Sequence, residues 1–393
     1  MLPSLPQELV DRIASNLGDE DLRSTARVSR ALRAASQRLL FRTIILPIGK
    51  SRDAIRLFDV FGVNPLLAGY TRKLILRING QKPASTWVPL LEALFAQLNR
   101  ITYLGIVAAG EKPFLPAMHT LLAKILHPSI RDLTLGEIQF TTPDQFLALL
   151  RGCPRLCSVR MDGCKLEEGD APPPAIDEIL PPNIETLAIA GPSFVEPDGA
   201  ILDLLRGAVN VSELKHLEVH LTQNIRARIQ QYLDASPAIE GCEIFHVPSY
   251  LPADADIYAL SLHTQRSLTY LGISGFLAAD PDSDAVAGLR VLVDTIATLP
   301  GPCALTQLNI TLRTAHPVNE TQLAQWTALQ EILLSKTRMP QFVLFTLAVH
   351  ANGFEGRDFA AEGTKYLAAL ARLRDKGAFR FMVRRGYDLQ EIN

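Results

Sequence analysis

Short runs of alternating apolar residues return at a nearly fixed interval through most of this chain, and that interval limits the possible folds more than any other feature. The runs are KLILRI (73–78), ITYLGIV (101–107), IRDLTL (130–135), LCSVRM (156–161), IETLAI (184–189), LKHLEV (214–219), LTYLGI (268–273) and LTQLNI (305–310). Alternation with period two marks a strand with one buried face. The second apolar anchor of each run falls at 74, 104, 133, 159, 187, 217, 271 and 308, giving steps of 30, 29, 26, 28, 30, 54 and 37. Half of the long step lands on Ile244, inside CEIFHV (242–247), which reads as a further strand. Helical patterns lie between the strands, among them WVPLLEALFAQL (87–98), DQFLALLRGC (144–153), AILDLLRGA (200–208) and DAVAGLRVLVDTIATL (284–299). One strand and one helix per unit at a repeating interval predicts an α/β solenoid, whose units stack to build one continuous core.

The length of 393 residues agrees, since a chain of this size forms either several domains or an elongated repeat structure. The repeats resemble leucine-rich repeats. Leu156-x-x-Val159-x-Met161-x-x-Cys164-x-Leu166 fits the whole frame, with Cys164 at the turn after the strand, while Ile130, Leu133, Leu135, Ile138 and Phe140 keep the apolar frame without the Asn or Cys. The interval drifts toward the C-terminus, so the resemblance implies an irregular horseshoe. The proline-rich DAPPPAIDEILPPN (170–183) reads as a surface excursion between repeats. Past about Arg313 the pattern loosens into a strand, QFVLFTLAV (341–349), and a helix, TKYLAALARLRDK (364–376), that would cap the array.

The first residues follow a different period. Leu9, Ile13 and Leu17 recur at steps of four, which stacks them on one stripe of a helix. Pro6 is tolerated in a first turn, Glu8 suits the positive helix end, and Gly18 terminates the helix. Asp19 then offers a cap to a short second helix carrying Leu22, and Val28, Leu32, Ala35 and Leu39 predict a third helix from Ser24 to about Leu39. A three-helix unit of about 40 residues buries little apolar surface by itself, so other surfaces must complete it.

Leu5-Pro6-x-Glu8-Leu9, then Ile13, Leu17, Asp21-Leu22 and Val28-Ser29-Arg30, resemble an F-box, and Leu39 through Ile44 is similar to the junction common in fungal members. Leu32 stands where a tryptophan is often found, which keeps an apolar anchor and loses an aromatic one. The resemblance covers about a tenth of the chain. It implies an F-box helical domain over 1–45, followed by the solenoid and its cap over 46–393. It also implies docking on the Skp1 adaptor of a cullin-RING ubiquitin ligase through Leu5, Pro6, Leu9, Ile13, Leu17, Leu22, Val28 and Leu32.

Composition narrows the partners. With 39 Lys+Arg against 41 Asp+Glu the formal net charge is −2, which supplies no general attraction to nucleic acid. No run approaches the roughly 18 apolar residues of a membrane span. MLPSLPQEL lacks the basic and apolar regions of a secretory signal, and five cysteines, an odd and sparse set, suit a reducing compartment. An intracellular protein, in the cytoplasm or the nucleus, is expected.

Gly272-Ile273-Ser274-Gly275 misses the spacing of a nucleophile elbow, and no phosphate-binding glycine pattern occurs. On a strand His216 and His220 stand roughly 13 Å apart, too far for one metal ion. Cys153, Cys157 and Cys164 lack a second ligand pair, and the aspartates at 280, 282 and 284 lack the closing glutamate of a calcium loop. The basic tail of Arg372, Arg374, Lys376, Arg380, Arg384 and Arg385 reads as a solvated helix face. Neither a catalytic residue, a metal nor a cofactor is expected.

The outward strand positions would do the selecting. Leucines of each Leu-x-Leu enter the core and the intervening side chains emerge opposite, lining the concave face with Arg77, Tyr103, Arg160, Asp162, His216, Glu218, His220, Tyr270, Gln307 and Asn309. This mixture of polar and aromatic groups fits a folded protein or peptide. The expected function is that of a substrate receptor in an SCF-type ubiquitin ligase; the alternative is a Skp1-linked scaffold uncoupled from ubiquitination.

Overall fold

The computed structural model describes residues 6–28, 30–48, 51–78, 84–113, 128–166, 181–190, 199–222, 224–246, 259–277, 285–314, 320–350, 359–385 and 388–392. The chain divides into two compact units, Met1–Pro182 with Gly207–Val209, and Asn183–Arg206 with Asn210–Asn393. Each is a mixed α/β body built on a parallel sheet, as a strand–helix repeat requires.

The first unit opens with α1 (Gln7–Ser15), α2 (Asp19–Val28) and α3 (Arg30–Leu40). Val10, Ala14, Leu22 and Ala35 form a buried core there, with Leu17, Leu32, Leu39 and Leu40 packed around it. The expected short second helix and a third starting at Ser24 are corrected: α2 takes in Ser24 and runs to Val28. Its acidic first turn of Asp19, Glu20 and Asp21 suits the positive end of a helix. Two helices of similar length let Leu22 of one meet Leu32 and Ala35 of the other.

Strand β1 (Thr43–Ile48) follows at once and pairs in parallel with β2 (Lys73–Ile78), Thr43 opposite Lys73 and Ile48 opposite Ile78. It crosses the expected 45/46 boundary, so the sheet begins at Thr43. The period-two signal lies in Ile44 and Leu46, both buried, and it directly adjoins the helical run. Two helices, α4 (Ser51–Val63) and α5 (Pro65–Ala68), connect β1 to β2. The sheet continues through β3 (Tyr103–Pro113), β4 (Asp132–Phe140) and β5 (Ser158–Asp162), all parallel, with the two-residue β6 (Lys165–Leu166) paired to β4. Helices α6 (Ala84–Phe95) and α7 (Pro143–Arg151) lie between strands in the chain.

Register aligns the core side chains into rows. Ile44, Leu74, Leu104, Leu133 and Val159 form one, and Leu46, Leu76, Ile106, Leu135 and Met161 the next, every member buried. Each strand entry is also held by a carbonyl that accepts two amides of the next repeat. Arg42 O serves Arg72 and Lys73, Arg72 O serves Thr102 and Tyr103, Thr102 O serves Arg131 and Asp132, and Arg131 O serves Cys157 and Ser158. Cys164, at the turn position assigned from the repeat frame, is buried and directs its thiol at Leu135 O, 3.5 Å away.

The second unit repeats the scheme with β7 (Thr186–Ala190), β8 (His216–Leu221), β9 (Gly241–His246), β10 (Tyr270–Leu277), β11 (Gln307–Thr314), β12 (Leu344–His350) and β13 (Phe379–Arg385), parallel in that order. Strand β9 occupies the place inferred by halving the long step. The chain between these strands forms α8 (Gly199–Ala208), α9 (Arg226–Ala235), α10 (Ala285–Ala297), α11 (Glu320–Leu334), α12 (Phe359–Ala369) and α13 (Ala371–Asp375). Carbonyls of Glu185, Lys215, Glu240, Thr269 and Thr306 each accept two amides of the following strand entry.

A final strand, β14 (Asp388–Ile392), reverses direction and pairs antiparallel with β13, ending the parallel stacking. The basic tail is therefore corrected. Arg380, Arg384 and Arg385 lie on β13, because Phe379, Phe381 and Val383 are buried at period two; Arg372, on α13, pairs with Glu331. Of DAPPPAIDEILPPN only 181–183 are described, and the aspartates at 280, 282 and 284 lie outside the described residues. Among the described residues no helix is long and apolar enough to cross a membrane.

Aromatic packing fastens the C-terminal repeats. Trp326 lies 6.1 Å from the Phe345 ring and 6.0 Å from Tyr366, while Tyr366 stacks on Phe381 at 5.4 Å. Replacing Trp326, which is wholly buried, by alanine removes the largest of these rings. A loss of about 3–5 kcal/mol is expected, read as a lowered urea midpoint with β12 and β13 losing amide protection first.

Candidate functional site

Helix α1 carries two apolar stripes. Val10 and Ala14 are 4% and 0% exposed and turn into the helical core, while Leu9 and Ile13, one position behind each, remain 45% and 44% exposed. Pro6, also exposed, lies on the chain just before the helix, and its carbonyl accepts the amides of Leu9 and Val10 at 3.0 and 3.2 Å. Completing the burial of Leu9 and Ile13 is worth roughly 1–2 kcal/mol each. Ion pairing holds the helix in place from another side, Arg38 donating to Asp11 at 2.7 Å.

Of the eight residues assigned to adaptor docking, Pro6, Leu9 and Ile13 are presented to solvent. Leu22 is buried, and Leu17 and Leu32, partly buried, pack against the same core. The cause is size: so small a module needs its own large aliphatics inside before any remain to offer. Leu5 and the Val28 side chain lie outside the described residues. The signal that separates the stripes was legible as Val10–Ala14–Leu17, a second helical spacing on the same helix.

In the first unit the outward rows are polar at the strand entries. Lys73, Tyr103, Asp132 and Ser158 form one row, then Ile75, Gly105, Thr134 and Arg160, then Arg77, Val107, Gly136 and Asp162. Arg77 and Arg160 are exposed; Tyr103 and Asp162 are half-buried. Lys73 Nζ sits 3.9 Å from the centroid of the Tyr103 ring, a cation–π contact, and Tyr103 donates its hydroxyl to Thr134 at 2.8 Å. Partial burial pushes the Asp132 carboxyl above its usual range, opposed by the cations of Arg131 and Lys73.

The second unit sets His216, Gly241, Tyr270 and Gln307 in its first outward row and Glu218, Glu243, Gly272 and Asn309 in its second. Tyr270 joins both neighbours of its strand: its hydroxyl donates to Glu243 at 3.2 Å and accepts from Asn309 Nδ2 at 3.3 Å. Burial raises the Tyr270 pKa, keeping the phenol neutral at physiological pH. His220, in the third row, packs its ring 5.0 Å from Phe245. Glu243 and Phe245 escaped the sequence reading because the strand carrying them was found only by halving a step.

One device occurs in both units. Thr-Tyr-Leu-Gly-Ile stands at 102–106 and again at 269–273. In each the tyrosine reclines over the glycine two residues on: a Cβ at Gly105 would stand 3.3 Å from the Tyr103 ring, and one at Gly272 would stand 3.0 Å from the Tyr270 hydroxyl. The absent side chain thus lets a flat aromatic platform lie along the sheet. That identical pentapeptide was the signal available in the sequence.

Each of the ten residues assigned to target recognition lies on an outward strand position, in two sets. Arg77, Tyr103, Arg160 and Asp162 belong to the first unit, and His216, Glu218, His220, Tyr270, Gln307 and Asn309 to the second. His216 and His220 stay four residues apart on β8, and among the described residues no group of three or more His, Cys, Asp or Glu is placed to hold a metal ion.

No family model matches this chain, and no curated protein does. Solved structures give distant likenesses. The yeast Rad7–Elc1 complex aligns at a TM-score of 0.35 and 12% identity, over 89% of this chain and 91% of that one. The LRIM1/APL1C complex aligns at 0.24 and 12%, over 74% of this chain and 59% of that one. Likeness at this level establishes neither a shared family nor a shared partner.

Burial of the cysteines gives a direct check of the site's packing. Desolvation pushes the thiols of Cys153, Cys164 and Cys242 up to about 12, so below that pH they stay protonated and unreactive. At pH 8 iodoacetamide is expected to label half-buried Cys157 well ahead of these three, as read by peptide mass spectrometry; equal labelling would mean that the core rows are open.

Proposed function

We propose that this chain is a substrate receptor of an SCF-type ubiquitin ligase. Its three-helix module acts as an F-box that docks on the Skp1 adaptor through Pro6, Leu9 and Ile13, and its outward strand faces hold a target protein. The observation that carries this reading is the pair Leu9 and Ile13, left nearly half exposed on a helix whose other stripe is buried in the module's own core. Large aliphatics aligned at a step of four, outside a finished core, suit a groove or helix of another polypeptide. The ordered resemblance of the first 45 residues to an F-box supports the choice of partner.

In this role the chain performs no bond chemistry. Other subunits would carry the activated ubiquitin, and the receptor would accelerate transfer by raising the effective concentration of target lysines near it. The target side is a protein or peptide surface. Tyr103 and Tyr270 offer fixed aromatic faces at low entropic cost, and Arg77, Arg160 and His216 supply exposed polar groups around them, the mixture found at the centres of protein interfaces.

Glutamate at both Leu9 and Ile13 is expected to abolish capture of purified Skp1 while leaving circular dichroism and melting temperature unchanged, since both side chains already face water. Undiminished capture would remove the docking assignment. Charge reversal at Arg77 and Arg160 is expected to do the opposite, preserving adaptor capture and weakening retention of cross-linked target proteins. Capture of Skp1 with a cullin supports the ligase; capture of Skp1 with the cullin excluded supports the scaffold.

A further inference from the structure

Between the three helices and the start of the sheet, within the first unit, lies a recess of about 520 Å³. Four arginines are among the residues that line it, Arg12 of α1, Arg38 of α3, Arg42 at the entry to β1 and Arg72 at the entry to β2, with Tyr70 beside them. Asp11 is the sole carboxylate of the lining, and it is already taken, accepting from Arg38 at 2.7 Å and from Gln7 at 2.9 Å. Four cations against one anion leave a local excess of three positive charges in a chain whose overall charge is −2.

The arginines divide into fixed and available groups. Arg72 is partly buried and donates Nη1 to Gly69 O at 2.8 Å and Thr71 O at 3.0 Å. That aims a pinned guanidinium with Nε and Nη2 unused among the described residues. Arg38 is fixed through Nη2 by Asp11. Arg12 and Arg42 are exposed, and neither side chain has an ion pair or hydrogen bond among the described residues. A protein that needed these cations only for solubility would have no reason to converge four of them, from four chain segments, on one cavity.

The geometry points to a binding site for a multiply charged phosphate ligand. Guanidinium forks match phosphate oxygens two at a time, and each such charge-assisted bond is stronger than a neutral one. The volume lies within the usual range for small-molecule sites, enough for two or three phosphate groups or for one phosphate with the residue that bears it. Such an occupant would neutralise the excess charge and tie α1 and α3 to the first strands. The site is independent of the adaptor stripe, which uses Leu9 and Ile13.

Isothermal titration of the full chain at low salt tests this with three probes: inorganic phosphate, tripolyphosphate and a phosphoserine peptide with its unphosphorylated twin. Tripolyphosphate, the peptide, or both are expected to bind at least tenfold tighter than inorganic phosphate, with affinity falling as salt rises. Preference between those two tells a free polyphosphate from a protein-borne one. The double variant Arg12→Ala, Arg42→Ala is expected to lose at least tenfold in affinity with an unchanged melting temperature, whereas Arg23→Ala, Arg27→Ala, at exposed positions of α2, leaves binding intact. No heat and no thermal stabilisation with any probe overturns the site. So does equal binding by the Arg12/Arg42 double variant and the natural chain.

Discussion

Most strand entries within each unit are fixed by one carbonyl accepting two amides of the following repeat, and that bond sets the register in which the buried aliphatic rows align. With Arg42 O holding Arg72 and Lys73, and the same arrangement at the entries to β3, β4, β5 and β8 through β12, residue i of one strand meets its counterpart in the next. Leu74, Leu104 and Leu133 then stack in one row. A slip of one residue would send that whole row outward and bring Lys73, Tyr103 and Asp132 into the core, an exchange no sheet survives. The outward chemistry is a consequence of the inward packing.

That coupling explains how the two faces come to serve different ends. Inward positions are nearly interchangeable, and Leu, Ile, Val, Met or Cys all occur, because only volume and apolarity matter there. Outward positions vary freely as long as they do not disturb the ladder. The tyrosine–glycine pair of both units exploits this freedom: removing a side chain at Gly105 or Gly272 costs the core nothing and gives Tyr103 or Tyr270 a surface to lie on. At the N-terminus α1 divides in the same way, the residues at 10 and 14 completing a small core and those at 9 and 13 left over.

Most of the repeat was legible because period two and a steady interval are properties of the chain alone. Even β9, bearing Ile244, could be placed by arithmetic on its neighbours. Legibility failed where two signals overlapped or where the partner of a residue lay far off in sequence. Ile44 and Leu46 belong to a strand but follow directly on a helix ending at Leu40, and two alternating residues beside a helical run carry little period-two signal of their own. Arg380 and Arg384 looked like a basic helix because charge was counted ahead of the Phe379, Phe381, Val383 alternation. Apolar periodicity at Leu22 and Leu32 names a face to be covered without saying whose surface covers it; the packing of α2 on α3 buries Leu22 and part of Leu32. The arginine recess, assembled from residues 12, 38, 42 and 72, has no local signature at all.

The account rests on α1 presenting an unfinished apolar stripe to another polypeptide. Hydrogen–deuterium exchange on the intact chain, with and without purified Skp1, addresses that most directly. Added protection concentrated in Gln7–Ser15, with the amides of β2 through β5 unchanged, is the expected result. Binding that protects the strands and leaves that helix as it was, or no protection anywhere, would contradict it.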